Sequence, residues 1–400
     1  MKPRFEKLLI DGWEGVYEDE WEISSDNLIG IKTPAWSIRK YTLRGGKQHG
    51  VDVVELDNGE MTVVVVPTRG MNVLSAYTDD VELSWQSPVN QVVHPAYVDV
   101  ESRGGLGWLE GFNELVARCG LESQGAPGED VIKDEDGNEV SRQNLPLHGR
   151  ISNTPAVRVW VSVGLTEPYA LSVSGEVYET RMFGPSHKLL STITTLPGSA
   201  AFRIEDTVQN LDATSQEMEL LYHCNVGPPI LEEGSSLIAP VENMCARDAE
   251  ALKGLDHWDA YEAAEPGFAE QCYYFTLHSD EDDRTAVALA NAAGDLGLSL
   301  RFTTAQLPAF TLWKNTGAER DGYVTGLEPA TDYPNSRQFE REKGRVVELA
   351  GGEIYGATLD FELLRGASRV SSVRDEIEGL MSGKDSTISS DIDPDLSPAG

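Results

Sequence analysis

The feature that most constrains the fold of this 400-residue chain is the alternation of apolar and polar side chains in many short segments. Alternation puts one set of side chains on each face of an extended backbone, which is typical of half-buried β-strands. Turn-forming pairs such as Pro197-Gly198 and Gly351-Gly352 separate these segments. Turns at this density favour an all-β antiparallel sandwich over βαβ units. Clear alternating segments are Leu171–Val177, Leu298–Thr303 and Thr358–Leu363.

Two stretches depart from this pattern. Apolar residues recur every three or four positions from Leu109 to Cys119, which predicts a helix that ends at Gly120. Glu114 and Arg118 stand four residues apart and should form a solvent-exposed pair on its outer side. A second short helix is expected within residues 366–383.

The predicted organisation is one large unit with short extensions. We expect N-terminal strands and an extension over residues 1–50, and a β-sandwich domain over residues 51–365. The short helix would occupy 366–383. Residues 384–400 are rich in Ser, Asp and Pro and have no apolar periodicity, which predicts a disordered acidic tail.

The charge of the chain excludes some classes of partner. Asp and Glu number 66 against 32 Lys and Arg, and the formal net charge is −34. Nucleic acids and anionic membranes repel such a surface. The basic residues comprise 11 Lys and 21 Arg, and an acidic, Lys-poor surface favours a halophile-like protein, although a merely acidic enzyme would also fit. Since no apolar run has the length of a signal peptide or a membrane span, we expect a cytoplasmic location.

Several common functional motifs are absent from the sequence. The four cysteines have no CxxC spacing, so we expect buried free thiols rather than a zinc or redox site. The seven histidines show no HExxH pattern, and no metal site is predicted. The chain also lacks a GxSxG elbow, a P-loop and a GxGxxG fingerprint. The commonest hydrolase and nucleotide-binding functions are therefore not indicated.

His223 and Asn225 form the first candidate for a functional group. They lie two residues apart near the end of a predicted strand, before Gly227 and two prolines end it. Side chains two positions apart in a strand point to the same face. A paired imidazole and amide could protonate and orient a bound oxygen. The alternative is a histidine held by hydrogen bonds inside the sandwich.

Two other segments could contribute to the same site. Glu328 ends a predicted strand, and Pro329 stops the pairing behind it. A carboxylate held there could act as a general base, or it could be an ordinary surface residue. His148 precedes Gly149, which allows a ligand to approach the backbone closely, although a polar loop would have the same composition.

In this order, the His-Gly loop, the His223 strand and the late Glu-Pro strand resemble the aldose 1-epimerase (galactose mutarotase-like) superfamily. The resemblance covers about Val51 to Leu364 and is greatest to an epimerase-like branch of that superfamily. Other segments that carry the resemblance are Pro67–Met71, Gly107–Phe112, Arg118–Gly120, Leu147–Pro155 and Tyr222–Pro229.

The resemblance implies a large twisted antiparallel β-sandwich (a galactose mutarotase-like supersandwich) with a few short helices and a sugar site on one sheet. It implies that Glu328 takes the proton of the anomeric hydroxyl and that His223 protonates the ring oxygen. The ring would open and reclose as the other anomer. His148 would hold the sugar and share the charge. Proton transfer of this kind needs no cofactor.

The predicted substrate-binding residues are His148, Arg150, Asn225, Arg69 and Trp313. A guanidinium binds carboxylate, sulfate or phosphate with two hydrogen bonds. We therefore predict that Arg69 or Arg150 lines the cleft and that an anionic sugar is preferred. The alternative is that both arginines pair with structural carboxylates.

The sequence does not identify the sugar or the oligomeric state. It departs from better-known mutarotases at Arg150, where a second glycine is usual, and after His223, where Cys224-Asn225-Val226 replaces a Thr-Tyr-Phe-Asn type run. A small-molecule carbohydrate is the expected partner. The alternatives are a carbohydrate lyase or another sugar isomerase on the same scaffold, and a non-catalytic sugar-binding protein.

Overall fold

Strands account for most of the regular structure in the computed structural model, which describes residues 3–28, 33–134 and 136–400. In chain order the strands are β1 (Arg4–Asp11), β2 (Val16–Tyr17), β3 (Trp21–Ser24), β4 (Ser37–Thr42), β5 (Asp52–Asp57), β6 (Thr62–Val66), β7 (Asn72–Tyr77), β8 (Glu82–Leu83), β9 (Val116–Leu121), β10 (Gly128–Lys133), β11 (Glu139–Leu145), β12 (Ala156–Gly164), β13 (Leu171–Glu179), β14 (His187–Thr195), β15 (Ala201–Asn210), β16 (Gln216–Val226), β17 (Ser236–Ile238), β18 (Val241–Ala246), β19 (Gln271–Leu277), β20 (Arg284–Ala290), β21 (Leu296–Thr303), β22 (Ala309–Thr316), β23 (Tyr323–Ala330), β24 (Val347–Leu349), β25 (Ile354–Arg365) and β26 (Thr387–Ile388). The helices are α1 (Ser102–Gly105), α2 (Ala249–Lys253), α3 (Glu319–Gly322), α4 (Arg337–Glu342) and α5 (Ala367–Leu380).

These strands form two large sheets and one separate hairpin. The ten-stranded sheet has the order β17-β20-β21-β25-β15-β14-β13-β12-β1-β2. The fourteen-stranded sheet has the order β26-β18-β19-β22-β23-β16-β9-β7-β6-β5-β4-β3, with β24 and β8 paired to β16 and β7. Strands β10 and β11 form the hairpin. The predicted all-β antiparallel sandwich is confirmed.

The alternation in the sequence explains which faces the sheets bury. In β14 and β15 every second side chain is buried, including Leu189, Ile193 and Ile204. These residues belong to one continuous apolar core that also contains side chains of the fourteen-stranded sheet. Each sheet therefore directs one set of side chains to the core between the sheets. The other face of the fourteen-stranded sheet is not part of this core, so its side chains need not be apolar.

A charged cluster crosses the core between the two sheets. Arg118 of β9 and Asp206 of β15 have fully buried side chains, and Arg118 Nε lies 2.5 Å from Asp206 Oδ2. Tyr222 Oη also donates a hydrogen bond to this carboxylate at 2.8 Å, and Arg118 Nη2 donates to Ser191 Oγ at 2.7 Å. Burial and the nearby Asp206 charge hold the pKa of the Tyr222 hydroxyl well above its ordinary value. The cluster joins the sheets by directional bonds.

The helix predicted between Leu109 and Cys119 is wrong. The structure has a single 3-10 turn at Gly107–Glu110, and β9 then begins at Val116. Pairing of β9 with β16 and β7 overrides the local spacing, because the strand satisfies its backbone groups on both sides. The predicted exposed pair is also wrong. Glu114 and Arg118 are buried, and each binds a partner from another part of the chain.

The C-terminal segment does not behave as the predicted disordered tail. Strand β26 pairs in parallel with β18. Ser397 is buried, and its Oγ donates a hydrogen bond to the carbonyl oxygen of Arg247 at 2.5 Å. Asn335 Nδ2 donates to the carbonyl oxygen of Leu396 at 2.9 Å. The segment docks through these hydrogen bonds and through the single apolar side chain of Leu396, which packs against a buried cluster that includes Tyr274 and Tyr333. One apolar residue creates no periodicity, so the sequence pattern could not reveal this docking.

The other expectations for the body of the protein can be compared directly. Helix α5 lies inside the interval 366–383, and its residues Val370, Val373 and Ile377 pack against the outer face of the ten-stranded sheet. All four cysteines are free and buried, as predicted. The described part of the chain has no helix with the length and apolar character needed to cross a membrane.

The acidic composition leads to a prediction about salt. A net charge of −34 makes the folded surface self-repelling, and salt shortens the range of that repulsion from about 10 Å at 0.1 M to about 3 Å at 1 M. We expect the melting temperature to rise between dilute buffer and molar potassium chloride. Thermal unfolding followed by circular dichroism measures it. A melting temperature that stays level or falls would contradict a halophile-like surface.

Candidate active site

The register of two neighbouring strands brings His223 and Glu328 together. In the β16–β23 pair, Cys224 is opposite Leu327 and Asn225 is opposite Gly326. One step further in this antiparallel register, His223 lies directly opposite Glu328. Cross-strand neighbours share a face of the sheet, and the two side chains meet with 3.2 Å between His223 Nε2 and Glu328 Oε1.

The surrounding positions on this face leave room for the pair. Gly326 lies on β23 two residues before Glu328. A Cβ atom at that position would lie 2.4 Å from Glu328 Oε1 and 3.2 Å from His223 Cε1. Only glycine therefore allows both side chains to adopt their observed positions. Thr311 of β22 lies opposite Glu328 on the other side, so it extends the same row of side chains.

A cavity of about 450 Å³ opens above this row. Its volume is in the range of small-molecule sites. Aromatic rings surround His223, with centroid distances of 5.0 Å to Phe112, 5.3 Å to Trp313 and 6.0 Å to Trp108. His148 approaches from the loop after β11, and its ring centroid lies 5.3 Å from that of His223. The cleft therefore combines an acid–base pair with apolar platforms.

Asn225 orients His223 and does not line the cleft. Its Oδ1 lies 2.7 Å from His223 Nδ1. Its Nδ2 donates to the carbonyl oxygens of Glu114 and His223, each at 3.0 Å, so Oδ1 must be the acceptor. His223 therefore carries its proton on Nδ1 when neutral, and Nε2 presents a lone pair to the cleft. The prediction that Asn225 binds substrate is replaced by a role in positioning the imidazole.

Burial changes the proton affinity of both members of the pair. The side chains of His223 and Glu328 are 6% and 3% exposed. Desolvation, followed by the neighbouring His148, lowers the pKa of His223 well below its ordinary value. Desolvation, followed by the charge of Glu270, raises the pKa of Glu328 well above its ordinary value. Burial therefore favours the neutral form of each group, so a proton shared by the pair is favoured on Glu328 rather than on His223.

Glu328 is not satisfied by its neighbours. Its Oε1 atom is buried and has no hydrogen-bond partner among the described residues, although His223 Nε2 lies 3.2 Å away. Thr311 Oγ1 and Trp108 Nε1 are also buried without a partner in the described part of the chain. All three residues line the cavity. Unpartnered buried polar groups are costly, so these atoms are available to a polar ligand.

His148 is a neutral hydrogen-bond acceptor. Its Nδ1 atom donates to the carbonyl oxygen of Gln124 at 2.8 Å. Burial lowers the pKa of His148 to about 4, and Nε2 therefore carries a lone pair at neutral pH. The loop is fixed in turn, because Gln124 Nε2 donates to Asp332 Oδ1 at 2.8 Å. His148 can hold a hydroxyl group, but it is too weak a base to share positive charge as predicted.

Charged residues form one wall of the cleft. Glu270 accepts hydrogen bonds from Trp313 Nε1 at 2.8 Å and from Arg247 Nη2 at 3.3 Å. Arg247 also donates to Asp248 at 2.8 Å and to the sulfur of Cys272 at 3.0 Å. These bonds fix the carboxylate of Glu270 at the edge of the cavity. Trp313, predicted to bind substrate, lines the cavity and holds this wall in place.

The family of the protein follows from comparison with known proteins. Residues 48–363 match the family described as Domain of unknown function (DUF4432). A crystal structure from Klebsiella pneumoniae, described as a "putative aldose 1-epimerase", has 35% sequence identity and a TM-score of 0.90, covering 97% of this chain and 98% of the other. The chain belongs to the DUF4432 family. A search of the curated proteins found no match.

The similarity to more distant structures concerns the fold alone. A galactose mutarotase-like protein from Clostridium acetobutylicum has 12% identity and a TM-score of 0.56, covering 87% of this chain and 99% of the other. A protein from Escherichia coli K12, with the same description as the Klebsiella structure, has 12% identity and a TM-score of 0.54, covering 79% of this chain and all of the other. The predicted membership of the superfamily is confirmed.

Arg69 is a structural residue in this DUF4432 protein. Its side chain is fully buried, and Nε lies 2.5 Å from Glu114 Oε1. Its Nη1 atom donates to Asn153 Oδ1 at 2.9 Å and to the carbonyl oxygen of Val93 at 3.1 Å. A Cβ atom at Gly111 would lie 2.8 Å from this guanidinium. The prediction that Arg69 binds substrate is wrong, because Glu114 fixes the arginine behind the cleft wall.

Arg150 also lies outside the cleft. Its guanidinium forms an ion pair with Glu101, and the side chain is 36% exposed. Arg150 is not among the residues that line the cavity. The prediction that it binds substrate is therefore wrong. The loop turns sharply at His148 and Gly149, where φ is 57° and 69°, and this turn sends successive side chains in different directions.

Several lining residues were not predicted from the sequence. Trp108 and Phe112 belong to the Gly107–Phe112 motif, which contributed only to the family resemblance, and Phe112 also lies in the segment predicted to be a helix. Arg247 and Glu270 reach the cleft from segments that flank β18 and β19, and no local pattern marks them. The described residues contain no group of His, Cys, Asp or Glu that could hold a metal ion.

A larger crevice of about 800 Å³ lies elsewhere, near the β10–β11 hairpin. Arg341 at its edge binds Glu217 and Asp130, with distances of 2.6 Å to each. Arg337 also binds Glu217 at 2.5 Å. The guanidinium groups of Arg337 and Arg341 are therefore already paired with carboxylates, and no acid–base pair lines this crevice. The smaller cleft at His223 and Glu328 is the better candidate for chemistry.

Proposed function

We propose that this protein is an aldose 1-epimerase that interconverts the two anomers of a neutral sugar in the His223–Glu328 cleft. The observation that carries the proposal is the pair itself. Two buried titratable groups with opposite pKa shifts lie 3.2 Å apart at the floor of a cavity. Such pairs supply general acid and general base together.

In the proposed reaction, one residue of the pair takes a proton from the sugar and the other gives one to it as the ring opens. Glu328 takes the proton from the anomeric hydroxyl while His223 Nε2 donates a proton to the ring oxygen. The bond between the anomeric carbon and the ring oxygen breaks, and a carbonyl forms at the anomeric carbon. After rotation about the adjacent carbon–carbon bond, the same transfers run in reverse. The total number of protons on the pair is unchanged.

This assignment requires the proton to lie on His223 when the closed sugar reacts. The directions of the two pKa shifts favour the proton on Glu328. A bound hydroxyl between the two groups can relay the proton, because Oε1 and Nε2 are close but not hydrogen-bonded to each other.

The polar groups of the cleft suit the hydroxyls of a sugar. His148 Nε2 accepts a hydrogen bond, Trp108 Nε1 donates one and Thr311 Oγ1 can do either. Phe112 and Trp313 supply apolar surface for the carbon–hydrogen face of the ring. This arrangement requires a ligand with closely spaced hydroxyls on an apolar frame.

The charge of the cleft favours a neutral sugar over an anionic one. Arg247, the one arginine among the lining residues, already binds Asp248 and Glu270. Asp321 adds a further carboxylate to the lining. An anionic substrate would meet net negative charge, with no unpaired cation to offset it. We therefore propose the opposite preference from the one predicted from Arg69 and Arg150.

Exchange between anomers, measured by nuclear magnetic resonance, tests the proposed function. Neutral hexoses should show protein-dependent exchange, and the corresponding uronates and hexose phosphates should exchange more slowly. Faster exchange of the anionic sugars would contradict the charge argument. Ultraviolet absorbance of unsaturated products would indicate a lyase, and binding without exchange or product would indicate a sugar-binding protein.

The dependence of exchange on pH follows from the two pKa shifts. The active form holds one proton on the pair, so it persists between the lowered pKa of His223 and the raised pKa of Glu328. We therefore expect kcat/KM not to fall as the pH rises through about 6.5, the ordinary pKa of histidine. If the two groups had ordinary values, activity would fall above about pH 6.5 as His223 lost its proton. A profile with that midpoint would contradict the single-proton assignment.

A further inference from the structure

A second cavity of about 470 Å³ adjoins the catalytic cleft. We call it the side cavity. Three residues line both spaces, so the two cavities share a wall: Trp85, Ser87 and Val89. A ligand that fills the cleft and continues past Trp85 would therefore enter the side cavity.

The side cavity is lined mainly by uncharged polar groups. Charged residues make up 24% of the chain, yet Glu82 is the one ionisable residue in this lining. Its carboxylate accepts a hydrogen bond from Ser84 Oγ at 2.9 Å. Amides and hydroxyls donate and accept, which matches a neutral polyhydroxyl ligand. The lining residues with such groups are Ser75, Ser84, Gln86, Ser87, Asn90, Gln91 and Asn113.

Some of these groups have no partner in the protein. Asn113 Nδ2 donates to the carbonyl oxygens of Val89 and Gln91 at 3.1 and 2.8 Å. Its Oδ1 is buried and has no partner among the described residues. The side chains of Gln86 and Asn90 also form no hydrogen bond within the described ranges. The side cavity therefore has two solvent-exposed amides, Gln86 and Asn90, in its lining, and the fixed side chain of Asn113 beside them.

Trp85 is held rigidly at the boundary between the two cavities. Its Nε1 atom donates to the carbonyl oxygen of Glu114 at 3.2 Å, and its ring lies 4.9 Å from that of Phe112. Two glycines let the chain pack closely around it. A Cβ atom at Gly227 or at Gly322 would lie 3.0 Å from Trp85. A fixed indole between the aromatic cleft and the polar side cavity is a suitable apolar platform for sugar rings.

We infer that the side cavity binds a second neutral sugar unit. The substrate is then a reducing disaccharide or a longer reducing oligosaccharide, with its reducing-end ring in the cleft and the next unit beyond Trp85. The position of the reducing end rests on the proposed function, because the anomeric carbon must reach His223 and Glu328. The presence of a second sugar-binding site does not depend on it.

Calorimetric titration tests this inference. Maltose, cellobiose and lactose are compared with glucose and galactose, using the wild-type protein and the double variant Gln86→Ala/Asn90→Ala. At least one disaccharide should bind about tenfold more tightly than its component monosaccharides, because the second sugar unit adds hydrogen bonds that a monosaccharide in the cleft cannot form. The double variant should lose this advantage. Gln209→Ala, a partly exposed amide on β15 of the other sheet, should retain it.

Equal or weaker binding of all three disaccharides by the wild-type protein would overturn the inference. An advantage that survives in the double variant would overturn it as well. Anomer exchange in the same samples separates the two proposals. Tight disaccharide binding without exchange would contradict the proposed function and support the side cavity. Exchange of monosaccharides without tighter binding of any disaccharide would support the proposed function and contradict the inference about the side cavity.

Discussion

Replacing Glu328 with glutamine is expected to lower the rate of anomer exchange at least about a hundredfold, the usual scale for the loss of a general base. Glutamine has nearly the same shape, but it cannot take a proton from the anomeric hydroxyl. His223→Ala should have a similar effect, because Nε2 is the atom that donates to the ring oxygen. Sugar binding should decrease less than turnover, since His148, Trp108 and Thr311 remain in the cleft.

A matched control separates the loss of chemistry from the loss of structure. Glu348 is an exposed carboxylate on β24, which pairs with the opposite end of β16. Glu348→Gln removes one negative charge near the same strand and should leave exchange at the wild-type rate. Retention of more than about a tenth of wild-type turnover in Glu328→Gln would contradict the role of Glu328 as base.

The second large effect concerns stability. Arg118→Met is expected to lower the free energy of unfolding by about 3–5 kcal/mol, because it leaves the carboxylate of Asp206 buried without its counter-ion. Asp206→Ala should have a comparable cost, since it leaves the guanidinium of Arg118 unpaired and removes the acceptor of the Tyr222 hydroxyl. Urea denaturation at fixed salt measures both values.

An exposed ion pair on the same strand is the natural comparison. Arg203 of β15 binds Asp360 of β25 through two hydrogen bonds of 2.7 and 2.9 Å. Both side chains are at least 40% exposed. Asp360→Asn should therefore cost less than about 1 kcal/mol. A similar cost for the buried and the exposed pair would show that burial does not determine the contribution of Arg118 and Asp206.

The parts of the structure that follow from local periodicity could be predicted from the sequence. Alternation identified strands such as β13, β21 and β25, and turn residues indicated that they are antiparallel. The same alternation put His223 and Asn225 on one face of β16. It did not place Asn225 in the cleft, because direction alone does not reveal that its amide binds the neighbouring imidazole.

The features that depend on pairing between distant segments could not be predicted. Arg69 was predicted to line the cleft, with a structural carboxylate as the alternative partner, and Arg118 was predicted to lie on the surface. Each is instead buried against a carboxylate at least 45 residues away. Glu270 and Trp313 meet only because β19 pairs with β22. The need for glycine at position 326 likewise appears only when Glu328 and His223 are in place. Register between strands, rather than residue type, decides these contacts.

The favoured position of the proton shared by His223 and Glu328 also differs from the one that the sequence analysis implied. Roles carried over from a family resemblance assume an ionised Glu328 and a protonated His223. Burial favours the neutral form of each group. A single shared proton is therefore favoured on Glu328 rather than on His223. The sugar itself then becomes part of the proton path. Substrate hydroxyls should shift the proton to His223 as they enter.

Two-dimensional exchange spectroscopy of a neutral reducing sugar is the measurement that tests the proposed function most directly. Cross-peaks between the α and β anomeric signals report the exchange rate at equilibrium, without a coupled enzyme. We predict that wild-type protein accelerates exchange in proportion to its concentration, and that Glu328→Gln at the same concentration gives a rate at least about a hundredfold lower. An exchange rate with wild-type protein equal to that in buffer alone, across neutral hexoses and disaccharides, would contradict catalysis by His223 and Glu328.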